Sequence, residues 1–313
     1  MGTGPGTEDT VAFEREAGRS TEPATSRLQP GASVGPYVVT ALIGVGGMAE
    51  VYRARDPRLG RDVALKMVRA VRSETAACGS LCSLLAREAR TLAQLSHPGL
   101  LAVHDVGEHE GCVYLAMGLV DGVTLREWVA RGPVFGERLA VLVEAGRALA
   151  AAHAARIVHR DVKPDNILVD RSGRVVVSDF GLARGLSDLD EDGFACGCTG
   201  GAGVRVELDG MIVGTPHYMS PEQLEGRVAD SRSDQFGFAV TAWETLHGAL
   251  PFGGNDLDSI RASVAAQQIE PPPGSPVPGA ANDVLRRAMR VSPSTRYPNL
   301  SSLVDRLAAT GDA

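Results

Sequence analysis

In the first third of the chain the hydrophobic positions come in short runs: "YVVTALI" from Tyr37, "EVYRAR" from Glu50 and "DVALKMV" from Asp62. Short runs rich in β-branched residues and divided by glycine or proline turns predict an antiparallel meander. After Gly132 the apolar spacing lengthens, and 137–155, 231–248 and 281–289 predict helices. The stretch "PPPGSPVPG" at 271–279 predicts a stiff connection. Residues 1–34 are rich in Gly, Thr, Ser, Glu and Pro without periodicity, which predicts a flexible extension, with order beginning near Tyr37. A strand-rich part followed by a larger helical part is expected.

Composition narrows the function classes. With 44% hydrophobic and 22% charged residues the chain has ordinary globular usage. A net charge of −7 gives no global positive field to attract nucleic acid or an acidic membrane, so a phosphate ligand would need a local site. Cys78, Cys82, Cys112, Cys196 and Cys198 are odd in number and scattered, which favours reduced thiols over a disulfide framework. Without a Cys-x-x-Cys pair or clustered histidines, ordinary or redox-sensitive thiols are also favoured over zinc. "MGTGPGTEDT" lacks the charged start and apolar stretch of a signal peptide. The most apolar long segment, 138–159, carries Glu144, Arg147, His153 and Arg156, which suits a buried soluble helix and not a membrane span. A soluble, cytoplasmic protein is expected, with no nucleic-acid partner and no membrane segment in this chain.

The stretch "IGVGGMAEV", Ile43 to Val51, resembles a phosphate-binding loop in which Ala49 stands where a third glycine would complete G-x-G-x-x-G. A dinucleotide fingerprint needs a strand before and a helix after it, and a Walker loop ends in Gly-Lys-Ser/Thr. Strand signals here lie on both sides, so the glycines predict a hairpin tip whose backbone amides can cover a phosphate chain. Lys66 in "VALKM" lies on a strand of apolar neighbours. On the helical stretch "LLAREARTLAQL", Leu84, Glu88, Leu92 and Leu95 share one face, so Glu88 sits in an apolar stripe where an unpaired charge is expensive. A Lys66–Glu88 ion pair is expected. In "HRDVKPDN" a proline bars a regular helix and lets Asp161, Lys163 and Asn166 converge from one loop. "VVVSDFG" ends an apolar strand in Asp179, and a carboxylate with an amide oxygen makes a hard-cation site suited to magnesium.

These motifs, in this order, resemble the eukaryotic-type (Hanks-type) protein serine/threonine kinases that are also widespread in bacteria. The resemblance covers about Tyr37 to Leu307. It implies an α+β, bilobal kinase fold: a small antiparallel β-rich N-lobe with one key helix, about 35–117, and a larger, mainly helical C-lobe, about 121–309. Further roles follow from it. Ile43, Gly44, Val45, Gly46 and Gly47 belong to the loop over the phosphates, with Val51 over the adenine. Lys66 contacts the α- and β-phosphates and is held by Glu88. Asp161 is the catalytic base, Lys163 a neighbouring phosphate contact, and Asn166 and Asp179 ligate Mg²⁺, with Mn²⁺ as the alternative. "MGLVDG" resembles the hinge, with Met117 as gatekeeper and the backbone of Gly118 and Val120 binding adenine. Many relatives carry an acidic residue where Gly118 stands.

"GTPHYMSPEQ" resembles the end of the activation segment, with Thr215 at the lip of the peptide site. Glu222 is expected to pair with Arg296, and Asp234 to anchor the catalytic loop from a buried helix. ATP is the implied donor and a protein Ser/Thr hydroxyl the implied acceptor. Arg160, just before Asp161, matches kinases that use an activation-loop phosphate. In the loop 182–214 Thr199 is the leading autophosphorylation candidate, ahead of Ser187, through self-association in trans. The rival readings are a pseudokinase scaffold and a small-molecule phosphotransferase. The first usually lacks one of Lys66, Asp161, Asn166 and Asp179, and the second generally lacks the "GTPxYMxPE" segment.

Overall fold

The structure, a computed structural model, describes residues 27–45, 49–68, 95–180 and 216–311. Its first part is a six-stranded antiparallel sheet of order β1-β2-β3-β4-β6-β5. The strands are β1 (Ser33–Val34), β2 (Tyr37–Val45), β3 (Ala49–Asp56), β4 (Arg61–Val68), β5 (Val103–His109) and β6 (Cys112–Gly118). The sheet begins at Ser33, ahead of the expected Tyr37. The physical reason is Val34, which is fully buried, and Leu28, whose N–H donates to the Tyr52 hydroxyl at 3.2 Å.

Alternation along β4 sorts the sheet into two faces. Val63, Leu65 and Met67 join Tyr37, Tyr52 and Tyr114 on one side, while Ala64 and Val68 join Val113, Leu115 and Met117 on the other. Lys66 falls in the second row, directly between Val51 of β3 and Leu115 of β6 in the register. Its ammonium therefore leaves from an otherwise apolar surface. Two register shifts in β2, at Val39/Ala41 and Leu42/Gly44, lie just ahead of the glycine stretch, where irregular pairing sharpens strand twist.

The second part is mainly helical: α1 (Leu125–Val129), α2 (Phe135–Ala154), α3 (Pro221–Leu224), α4 (Ser231–His247), α5 (Leu257–Ala266), α6 (Gly279–Ala288) and α7 (Leu300–Ala308). A small sheet of β7 (Gly122–Thr124), β8 (Ile167–Asp170) and β9 (Val175–Val177) lies beside it. The three helices anticipated from periodicity are α2, α4 and α6, each within two residues of the expected bounds at both ends. The segment 138–159 is most of α2 and its exit; α2 is buried along one side, with Glu144 and Arg147 exposed on the other, and among the described residues no helix is long and apolar enough to cross a membrane.

Helix α4 is the axis of this part. Every residue from Ser233 to Trp243 is buried, so the helix lacks a polar face and must be surrounded by protein. Asp230 caps its start by accepting from the N–H groups of Arg232 at 2.7 Å and Ser233 at 3.1 Å. Gly248, left-handed at φ 73°, ends it. Gly237 permits a close approach: a Cβ there would lie 3.2 Å from the carbonyl oxygens of both Val162 and Tyr218.

Glu222 and Arg296 form the pair expected from sequence. The guanidinium meets the carboxylate through two bonds of 2.8 and 2.9 Å, and its other N–H groups donate to the carbonyls of Arg290, Arg232 and Val291. All five donors are thus used in a fully buried side chain. Burial alone would raise the Glu222 carboxyl, but Arg296 outweighs it and holds the acid below the ordinary carboxylate range. Since the folded-state value lies below the unfolded one, this contribution is present above the ordinary carboxylate value and is lost as pH falls through the folded-state value. Arg296→Met should lower the unfolding free energy by about 3–5 kcal/mol, because it strands a buried charge. In urea titrations the double variant with Glu222→Leu should lose less than the single one; an equal or larger loss would refute this account.

Candidate active site

The segment after α2 leaves the helix at Ala155 and forms the loop that carries His159 to Asn166, where the catalytic residues are expected. One buried carboxylate shapes it. Asp234 of α4 accepts from the backbone N–H of His159 at 2.6 Å and of Arg160 at 2.7 Å, and its Oδ2 lies 2.8 Å from His153 Nε2. Arg160 is left-handed at φ 66°, which costs a non-glycine residue on the order of 1–3 kcal/mol unless its surroundings fix it. Asp234 fixes it, as does Gln223, whose Nε2 donates to the Arg160 carbonyl at 2.9 Å.

The His159 ring, fully buried, ties this loop to the segment after β9, which ends at Val177 and not at Asp179 as expected. Its Nε2 bonds the Ser178 carbonyl at 2.8 Å and its Nδ1 accepts from the Asp161 N–H at 3.3 Å. Both partners suit the neutral tautomer with the proton on Nε2. The ring also packs on Phe180 at 4.6 Å between centroids.

Asp161, Lys163 and Asn166 converge as the proline predicted. Pro164 opens a single 3₁₀ turn, Pro164–Asn166, which brings Asn166 back toward Asp161. Lys163 Nζ donates to Asp161 Oδ2 at 2.8 Å, and Asn166 Nδ2 donates to the same oxygen at 3.1 Å and to the Asp161 carbonyl at 2.8 Å. The Asn166 carbonyl in turn accepts from the Ser178 N–H at 2.8 Å, so this turn and the segment before Asp179 are tied by backbone.

Lys66 meets Asp179, its Nζ 2.9 Å from Oδ1. Asp179 is also left-handed, at φ 53°, a conformation that aspartate tolerates better than most residues. The expected partner Glu88 lies outside the described residues. So do Gly46 and Gly47 of the glycine stretch, and Ser187, Thr199 and Thr215 of the activation segment.

Ile43, Gly44 and Val45 end β2, and Ile43 and Val45 leave half or more of their surface exposed. Ala49, which stands at the third glycine position, opens β3 and pairs with Val68. It is a strand residue, where glycine would weaken the pairing, and so the missing glycine is no defect. Met117 is buried opposite Ala64, the Gly118 N–H donates to the Ala102 carbonyl at 2.9 Å, and Val120 follows β6. A Cβ on Gly118 would meet nothing nearer than 3.6 Å, so the absent acidic side chain is no packing requirement.

The donor chemistry of Asn166 and Asp179 fits a hard cation. Asn166 spends its amide N–H groups on Asp161, which leaves the amide oxygen as the ligand-type atom beside a carboxylate, and magnesium takes few protein oxygens of this kind.

Sequence reasoning missed one cluster beside the loop: Arg126, Asp165, Tyr218 and Glu244 share a network of short bonds. Asp165 lies inside the quoted "HRDVKPDN", but a lone Arg126 on a five-residue helix gives no periodic signal of its partner.

A family model described as "Protein kinase domain" matches residues 37–305. Serine/threonine-protein kinase PrkC of Bacillus subtilis is 33% identical over 285 residues, which is 89% of this chain and 41% of the relative. Serine/threonine-protein kinase PknB of Mycobacterium tuberculosis is 37% identical over 279 residues, 85% of this chain and 41% of the relative. The chain spans less than half the length of either. The crystal structure of the Mycobacterium tuberculosis PknI kinase domain is similar at a TM-score of 0.65 and 27% identity, over 90% of this chain and 99% of that one. A match that runs through both the sheet and the helical part, with relatives of one kind, places the chain in the protein kinase family, among the bacterial serine/threonine kinases.

Proposed function

We propose that this chain transfers the γ-phosphoryl group of ATP to serine and threonine hydroxyls of proteins, as a signalling kinase of the cytoplasm where ATP is supplied. The observation that carries the reading is the convergence of Lys163 and Asn166 on one oxygen of Asp161, in a loop pinned from below by Asp234. A carboxylate so held can orient an acceptor hydroxyl and take its proton as the oxygen bonds to the γ-phosphorus and the bond to the β,γ-bridging oxygen breaks.

Each remaining residue has a role in that step. Lys66 holds the α- and β-phosphates, with Glu88 as its second carboxylate partner. Lys163 meets the γ-phosphate beside Asp161. The amides of Gly44, Gly46 and Gly47 cover the phosphates, and Ile43, Val45, Val51 and Met117 supply the apolar walls for the adenine. Since the Gly118 N–H is spent on Ala102, the hinge contacts fall to the Gly118 carbonyl and the Val120 backbone. Asn166 and Asp179 hold Mg²⁺ or Mn²⁺, which supplies neutralisation of phosphate charge when bound. Catalysis is then positioning and charge stabilisation, with little covalent work for the protein.

Regulation belongs to the same proposal. Two copies meet and phosphorylate Thr199, or secondarily Ser187, in trans, and the phosphate pairs with Arg160.

Three outcomes test this. Asp161→Asn should reduce transfer to a generic basic protein and to the chain itself by about 10²–10⁴-fold, the usual worth of a general base. Binding of Mg-ATP, read by fluorescence titration, should persist; unchanged transfer would place the base elsewhere, and a chain that binds without any transfer in its unaltered form would be a scaffold. Ala49→Gly should change the KM for ATP by only a small factor, since Ala49 sits in the strand; a large gain in kcat would show a strained loop. Phosphopeptide mapping after incubation with Mg-ATP should find label at Thr199 that is absent from Asp161→Asn, and label at neither Thr199 nor Ser187 would sink the regulatory part.

A further inference from the structure

Arg126 lies on α1, the short helix that follows the hinge strand and β7, and its start is capped by a reciprocal pair between Thr124 and Glu127. From there its guanidinium reaches three separate parts of the chain. Nε and Nη2 donate to the two oxygens of Asp165, each at 2.9 Å, in a two-pronged pair. Nη1 donates to Glu244 at 2.8 Å, and Nη2 donates also to the Tyr218 hydroxyl at 2.8 Å. The circuit closes through Tyr218, whose hydroxyl donates to the second Glu244 oxygen at 2.5 Å.

The partners explain why this matters for the reaction. Asp165 is the middle residue of the Pro164–Asn166 turn that carries Asn166 onto Asp161. Tyr218 closes the turn Pro216–Tyr218, which follows directly on Thr215, the residue expected at the lip of the peptide site, and its side chain is buried. Glu244 stands on α4, the helix that pins the catalytic loop through Asp234. Electrostatics agrees with the geometry. The Arg126 bonds hold the Asp165 carboxyl below its ordinary range, and burial together with the adjacent Glu244 raises the Tyr218 phenol.

We infer that Arg126 is a positioning residue for the acceptor protein: it locks the Tyr218 wall of the peptide site to the turn that presents Asp161. This rests on the reading of Asp161 as the base. Only a planar fork with several fixed donors can satisfy two carboxylates and a phenol together, so lysine is no substitute. The network bonds neither Lys66 nor Asp179 and reaches the Asn166 turn only through Asp165, so its loss should fall more on the acceptor than on the nucleotide.

The test compares steady-state transfer to a serine peptide by the unaltered chain and by Arg126→Met, Arg126→Lys and Tyr218→Phe, with Asp161→Asn as the inactive control. Tyr218→Phe removes a single oxygen and guards against a variant that fails to fold. In Arg126→Met and Arg126→Lys, kcat/KM for the peptide should fall about tenfold, within the range that small misplacements of reacting groups produce. Tyr218→Phe should show a smaller loss of the same kind, while the KM for ATP stays within about twofold. Unchanged peptide kinetics, full activity in Arg126→Lys, or an equal rise in the KM for ATP would each overturn the inference. Absence of transfer by the unaltered chain, or full transfer by Asp161→Asn, would instead overturn the catalytic reading and this inference with it.

Discussion

The site depends on the carboxylate of Asp234. A buried charge is expensive, and this one, almost wholly shielded from water, is kept because three donors converge on it: two backbone amides of the loop before Asp161 and the His153 ring. Backbone amides are the donors that matter. A side-chain partner would fix only a side chain, whereas bonds to the N–H groups of His159 and Arg160 fix the path of the chain just before Asp161. They hold Arg160 in a left-handed conformation that its own side chain disfavours. Gly237, one turn along the same helix, lets α4 lie against the carbonyls of Val162 and Tyr218, so the floor of the loop and the wall beside it rest on one rod.

Charge at the site is then distributed in pairs drawn from different parts of the fold. Lys66 comes from the sheet and meets Asp179, while Lys163 comes from the loop and meets Asp161. Both pairs are partly open to solvent, where an ion pair contributes little to stability. What they hold in place matters more than the stability they contribute. The Glu222–Arg296 pair contrasts with them: it is dry and uses every guanidinium donor, as befits a structural tie.

Much of this was legible in the chain because each signal was local. The period of two in β2, β3 and β4 and the longer period in α2 and α4 follow from side-chain direction, and a proline between Lys163 and Asp165 is enough to expect a turn in place of a helix. Val34 shows the limit. A two-residue strand offers no alternation to count, so the sheet's first element was hidden in a polar, glycine-rich stretch. Arg126 shows a second limit, since its partners Asp165, Tyr218 and Glu244 lie 39, 92 and 118 positions away and the chain carries no spacing rule for contacts of that range. Lys66 and Asp179, 113 apart, were legible as separate motifs but not as a pair.

The proposed site lies largely on loops, and loops are poor at holding geometry to a fraction of an ångström. The fold meets that difficulty by giving each loop residue a tie to something rigid. The His159–Asp161 loop hangs on α4 through Asp234, the Asn166 turn is sewn to the segment before Asp179 through Ser178, and the Tyr218 turn is joined to α4 through Glu244 and to the Asn166 turn through Arg126. Two of these three ties end on α4. A helix without a solvent-facing stripe cannot rotate or slide without disturbing the core on all sides, which makes it the one element on which independent loops can share a common frame. The burial of α4 therefore bears on the loops as well as on stability: relaxing its packing would shift the Asp161 loop and the Tyr218 turn relative to each other.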